Sequence, residues 1–393
     1  MHRIAIYIDS RENYGGAFQY SKAWINALNS LSSEDLSITA LYTSKRWKEY
    51  LDKFPGIECV FIKKLQIFKK LYQFLISIGL INLVRFIADK IDSEIKFINA
   101  RNFDIIIFPA SDTIACLVRS KVIGTIHDLM HRYERRFKES GSYFVYKYRE
   151  HYFKRLLILS KIVLVDSGLG KEHIIASYKK IKAGIYVLSF IAPDYIYSNH
   201  ADAFPGSDIS DISLKYIFYP AQFWPHKNHY NLLRALKILR DKGTVIMLLF
   251  SGNKELEYKR LVKFVKDNDL ERQVKFHGYI PESEIVAFYQ NALAMVMPTF
   301  FGPTNIPPVE AILLGCPPIV SDIYGMPSQL EDAALYFNPN NPEEIADRIE
   351  SIIKQTGLRE NLIANGLKIR ENFSQDRFKN DIKGILSRVL DNK

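Results

Sequence analysis

A chain of 393 residues is too long for one ordinary hydrophobic core and long enough for two α/β domains. With 48% hydrophobic and 24% charged residues it has the balance of a folded soluble protein, which argues against a disordered or membrane-spanning one, and its three cysteines are too scattered for a zinc site or a disulfide framework. The formal net charge of +10 sits in the first 200 residues, which carry +11 against −1 for the rest, a balance that suits an anionic acceptor or membrane surface; no nucleic-acid module accompanies it.

The first apolar run, Ile4–Ile8, ends in Asp9 and is too short for a signal peptide, so it reads as a buried strand in a protein of the reducing cytoplasm. Tyr14-Gly15-Gly16-Ala17 follows, a turn whose glycines let backbone approach a ligand but whose spacing is not that of a dinucleotide site. From Lys63 to Leu80 lysines alternate with a broad apolar face, interrupted by Gln73 and Ser77 and therefore unfit to span a bilayer. Buried strands are expected at Ile105–Phe108, Val122–Ile126 and Ile162–Val165, and His127-Asp128 closes the second of these, where a side chain faces a ligand or the packing with equal ease. A second basic and aromatic stretch runs from His131 to Arg155. The two basic stretches suit an anionic bilayer and equally suit ordinary solvated helix faces.

Around Ala192–Asp211 the periodicity stops and Pro, Gly, Asp and Ser take over, as in a linker. Strands resume at Tyr216–Tyr219, Val245–Phe250, Val274–Phe276 and Ala294–Met297. Short doubly buried strands separated by helices imply parallel sheets, which bind ligands beyond the carboxyl ends of their strands. The expected organisation is an N-terminal Rossmann-like acceptor domain (1–195), a linker (196–213), a C-terminal Rossmann-like nucleotide-sugar domain (214–373) and a final helix (374–393) that packs back on the first domain, with both parallel sheets facing a central cleft. The final helix is announced by Ser374 as a cap and by Phe378, Ile382, Ile385, Leu386 and Leu390 on one face.

The chemistry concentrates in two segments. In Pro298 to Pro318 a strand runs into a Gly/Pro/Thr/Asn loop and then into a helix beginning near Pro307-Pro308, which lack only N–H groups that a first turn leaves unpaired anyway. The amides of Thr304, Asn305 and Ile306 would face a diphosphate there, and Glu310, one turn on, would accept hydrogen bonds from a sugar or ribose diol. In Phe218 to Asn228 a strand leads through Gln222 to Lys227, a cation placed to stabilise a leaving nucleoside diphosphate. Asp267-Asn268-Asp269 has the Asp-x-Asp spacing of a metal site but lies where a helix ends in a turn, so no metal is expected.

These segments resemble the retaining glycosyltransferases of family 4, which have the GT-B fold. Their motif Glu-Gly-Phe-Gly-Leu-Pro-Pro-Leu-Glu-Ala corresponds to Gly302 through Ala311, with Pro307-Pro308-Val309-Glu310-Ala311 retained and the first glutamate replaced by Gly302. Their Gly-Arg-x-x-x-x-Lys-Asn corresponds to Ala221 through Asn228, with Gln222 at the arginine position and Lys227 retained. The resemblance implies that Glu310 binds donor ribose, that Lys227 and Gln222 stand by the diphosphate, that Gly15 and Gly16 lie over the donor phosphates or acceptor, and that His127 lies by the transferred sugar. It implies catalytic roles for His127, Lys227 and Glu310, a nucleotide-diphosphate sugar as co-substrate with no other cofactor, and a glycan or lipid-linked saccharide as acceptor in surface polysaccharide or lipopolysaccharide synthesis. A non-catalytic relative that binds nucleotide sugar or glycan, and a nucleotide-sugar epimerase, stay open as alternatives.

Overall fold

The computed structural model describes residues 2–10, 15–32, 35–63, 66–198 and 215–391. They form two compact units, unit 1 from residues 1–136, 140–191 and 374–393 and unit 2 from residues 137–139 and 192–373.

Unit 1 is built on a seven-stranded parallel sheet in the order β3-β2-β1-β4-β5-β6-β7, formed by β1 (His2–Ile8), β2 (Leu36–Tyr42), β3 (Ile57–Phe61), β4 (Ile105–Ile107), β5 (Lys121–Thr125), β6 (Ile162–Val165) and β7 (Gly184–Val187). The two-residue period of a strand explains its two cores. Ile4, Ile6 and Ile8 enter one apolar cluster with Ile105 and Ile107, while Ala5 and Tyr7 enter the other with Ile106 and Phe108. The helix Gln375–Leu390, capped by the Ser374 hydroxyl, packs in the first cluster against the helix Gly16–Leu31, where Phe378 meets the edges of Tyr20 and Trp24.

Unit 2 has a six-stranded parallel sheet in the order β10-β9-β8-β11-β12-β13, with β8 (Tyr216–Pro220), β9 (Met247–Ser251), β10 (Val274–Gly278), β11 (Ala294–Met297), β12 (Pro318–Ser321) and β13 (Leu335–Phe337). The order reverses between β8 and β11, and between β1 and β4 in unit 1. At such switch points the loops leaving neighbouring strands diverge and open a crevice.

Two expectations change, and a third falls largely outside the described residues. Residues 192–195, expected in the first domain, belong to unit 2: Ala192 and Ile196 lie in its core and the Tyr197 hydroxyl bonds the Phe373 carbonyl. Of the expected linker 196–213, residues 199–213 lie outside the described residues. The strand expected from Val245 begins at Met247, because Val245 is left exposed ahead of the sheet.

The basic stretch from His131 to Arg155 is not one solvated face either. His131 is buried, and its Nε2 meets the buried Glu150 carboxylate at 2.9 Å, which also takes Arg132 Nε at 2.6 Å and the Tyr178 hydroxyl at 3.2 Å. Burial works against that carboxylate's charge, yet the bonds from His131 and Arg132 prevail and hold its pKa down at about 2.

Candidate active site

In unit 2 the loop after β8 is rigid for reasons visible residue by residue. Asn228 adopts the left-handed conformation (φ 58°) between the turn Pro225–Lys227 and the helix His229–Asp241. Its buried side-chain amide donates to the carbonyls of Pro298 and Pro339, each at 2.8 Å. The Tyr219 hydroxyl donates to the Lys227 carbonyl at 2.9 Å, and the Phe300 N–H to that of His226 at 2.7 Å. Glu139, carried into unit 2 by its short excursion, accepts from the His226 N–H at 2.8 Å and faces its Nδ1 at 2.7 Å. Gln222 uses its side-chain oxygen on the Trp224 indole at 2.8 Å.

Lys227 is therefore fixed in backbone and half-buried. The one hydrogen bond of its side chain among the described residues runs from Nζ to Asn305 Oδ1 at 3.4 Å, a long contact to a neutral group. Burial alone pushes its pKa down to about 8.

After β11 the chain passes Gly302 (φ 140°) and enters the helix Ile306–Leu313 with Asn305 as N-cap residue and Pro307 and Pro308 in its first turn. Gly325 lies so close beneath this loop that a Cβ there would fall 1.9 Å from the Pro303 carbonyl oxygen. Glu310 is buried, its carboxylate accepting from Tyr289 at 2.5 Å and Tyr195 at 3.4 Å. Burial raises its pKa to about 7, against the opposing pull of the two hydroxyls. One expectation is corrected: the Asn305 amide does not await a diphosphate, because its N–H donates to Gln329 Oε1 at 3.2 Å. Thr304 Oγ1 is buried without a partner among the described residues, and Ile306 opens the helix half-buried.

In unit 1 the register of β5 on β6 pairs Thr125 with Leu164, and continuing it two residues sets His127 beside Asp166. Their contact, Nδ1 to Oδ1, is 3.0 Å, and Asp166 is buried. Phe190 stacks on the imidazole and Tyr20 meets it edge-on. Burial opposes the imidazolium, but Asp166 outweighs it and the His127 pKa rises; that of Asp166 rises too, through its own burial. Asp166 thus orients the ring by occupying one nitrogen, while Nε2 is buried with no partner among the described residues. Gly15 (φ 56°) precedes the helix that bears Tyr20, and Gly16, its first residue, is exposed.

The Asp267–Asp269 segment is a turn: Asp267 pairs with Lys263 at 2.7 Å, Asp269 is left-handed (φ 53°), and Arg240 holds the Asn268 and Asp269 carbonyls. Among the described residues no group of three His, Cys, Asp or Glu side chains is placed to hold a metal ion.

Residues 209–369 match the family model for glycosyl transferases group 1. Unit 2 is a group 1 glycosyl transferase domain. The chain is 26% identical to O-antigen chain mannosyltransferase B of Escherichia coli over 58% of its own length and 61% of that protein's. It is 27% identical to O-antigen chain mannosyltransferase RfbU of Salmonella typhimurium over 60% and 62% respectively. The aligned region thus spans about three fifths of these curated relatives. A glycosyltransferase from Rickettsia africae ESF-5 shares the fold over 100% of this chain and 99% of its own, with a TM-score of 0.74 at 17% identity. The fold is GT-B, two Rossmann-like units with parallel sheets.

Asp166→Asn removes the charge that favours the imidazolium, so His127 is expected to titrate at lower pH than in the wild type in a proton NMR series, with turnover reduced on the order of 10²-fold. An unshifted imidazole would show that Asp166 does not govern it. Lys227 has a folded-state pKa below its ordinary value. Its contribution to stability is therefore present above the ordinary value of 10.5 and lost as pH falls toward about 8, so at pH 7 the charged group burdens the native state. Lys227→Met should raise the melting temperature of the unliganded protein, by about 2–4 °C per kcal/mol relieved, while depressing turnover; calorimetry and an activity assay read the two effects separately.

Proposed function

We propose that this protein is a retaining, metal-independent glycosyltransferase that moves a hexose from a nucleotide-diphosphate sugar to a hydroxyl of a glycan or lipid-linked saccharide in surface polysaccharide or lipopolysaccharide synthesis. The observation that carries the reading is the half-buried Lys227, without an acidic partner among the described residues, set on the loop beside the one that leads to Glu310. A half-buried cation whose side chain meets only a neutral amide among the described residues is a site for an anion, and a departing diphosphate is the anion this chemistry produces. Cationic and amide groups supply that charge stabilisation without a metal. Mannose is the first hexose to test, since the two relatives are named mannosyltransferases.

Gly302 favours a second reading. A relative without the first glutamate would bind nucleotide sugar and turn nothing over, and product formation separates the two. We also propose that the protein works in the cytoplasm, peripheral to the inner face of the cell membrane. No described helix is long and apolar enough to cross a bilayer. Residues 59–88 carry five Lys and Arg and no Asp or Glu, and Phe74, Phe86 and Tyr143 lie exposed nearby in sequence or by the stacking of Phe74 on Phe144.

Two experiments test the donor site and the membrane surface. Calorimetric titration with chelator present, against UDP, GDP and dTDP and their sugars, should find one nucleotide series that saturates the site. Affinity should fall above about pH 8 as Lys227 loses its proton, and Glu310→Ala should weaken it by about 1–3 kcal/mol. No binding in any series would sink the donor assignment. In vesicle sedimentation, binding should require anionic phosphatidylglycerol and drop with Phe86→Ser; equal sedimentation with neutral vesicles would dismiss the membrane surface.

A further inference from the structure

Gly302 and Asn305 compete for one volume. A Cβ at position 302 would lie 2.4 Å from Asn305 Nδ2 and 3.0 Å from its Cγ and Oδ1, so a side chain at 302 and Asn305 in its present place exclude each other. Within the motif set out above, the family pattern has glutamate at the position of Gly302 and glycine at that of Asn305. This chain has the reverse, and its polar side chain enters the same space from three residues further on.

Asn305 is held there from behind. Gln329 takes its N–H at 3.2 Å and returns a bond to its carbonyl at 3.1 Å, so one side-chain amide clamps both polar atoms of the Asn305 backbone. The Asn305 side chain itself is poorly served. It is 7% exposed, its Oδ1 meets Lys227 Nζ at 3.4 Å, and the partner recorded for Nδ2 is the Met326 thioether at 4.0 Å, a weak acceptor. A buried primary amide with both N–H groups this poorly matched costs stability until something accepts from it.

We infer that Asn305 is the group that contacts the transferred sugar in place of the missing carboxylate, and that Gln329 is its positioning residue. The inference rests on the donor-site reading above and deepens it. An amide in this place donates to a sugar hydroxyl as well as accepting from one, and it leaves the Lys227 charge available to the diphosphate. A carboxylate would neutralise that charge in part.

The test compares two ligands of one nucleotide series, the nucleoside diphosphate and its sugar, by calorimetry on the full chain. Asn305→Ala should leave diphosphate affinity within about threefold and reduce sugar-nucleotide affinity by about tenfold, the loss of roughly one hydrogen bond to a neutral partner. Gln329→Leu should reproduce that selective loss more weakly, and Asn305→Asp should weaken the diphosphate as well, by partly neutralising Lys227. A merely structural role would lower the melting temperature and both affinities alike, and equal losses for the two ligands, or none, would overturn the inference while leaving the donor site standing. Failure of the wild-type chain to bind any nucleoside diphosphate or its sugar would overturn the donor reading and this inference together.

Discussion

A half-buried lysine with no carboxylate to meet it among the described residues is the constraint around which unit 2 is arranged. Nothing in the side chain of Lys227 keeps it in place, since its single contact is long and neutral. The backbone does that work through Tyr219, Asn228, Thr299 and Phe300, each joining the loop after β8 either to the sheet or to the loop after β11. Those bonds also explain the left-handed Asn228. Its conformation turns the chain from one helical turn into the next and aims its amide at the carbonyls of Pro298 and Pro339.

Unit 1 solves a related problem by register. His127 and Asp166 are 39 positions apart and become neighbours because β5 and β6 pair with that offset along their length. Slipping the pairing by one residue would exchange the side chains of β6 between the two apolar clusters and carry Asp166 away from His127, so the packing that sets the register also secures the dyad. The rings of Tyr20 and Phe190 border the imidazole, and Asp166 is its chief electrostatic partner.

These two arrangements mark where a single sequence is legible. Strands buried on both faces, such as Ile4–Ile8 and Ala294–Met297, announce themselves as unbroken apolar runs, and the terminal helix does so through its Ser374 cap. The edge strands Ile57–Phe61 and Gly184–Val187 do not: they are half exposed and lack such a run, and the interior strand Pro318–Ser321 begins with proline. Lys227 and Glu310 stand out because their chemistry sits in local motifs. Asp166, Tyr195, Tyr289 and Gln329 carry no local signal, since each acts on a residue between 21 and 115 positions away. The pairing of Gly302 with Asn305 lies within one motif, yet only the packing reveals that the two positions share a volume.

The proposed donor site has one energetic character throughout. Lys227 is charged where charge is disfavoured, Glu310 is held near neutrality by burial against its ordinary acidity, and Asn305 buries an amide whose hydrogen-bonding capacity is little used. Each lowers the stability of the empty protein, and each is relieved by the same ligand: a diphosphate restores the lysine's charge balance, a diol gives the glutamate donors, and a sugar hydroxyl accepts from the asparagine. Unit 2 can carry that strain because its core is continuous from β10 to β13 and its loops are tied to one another through backbone carbonyls. Affinity in such a site comes less from contacts added on binding than from penalties already present in the fold and removed by the ligand, which is why these residues would be poor choices for stability and good ones for recognition.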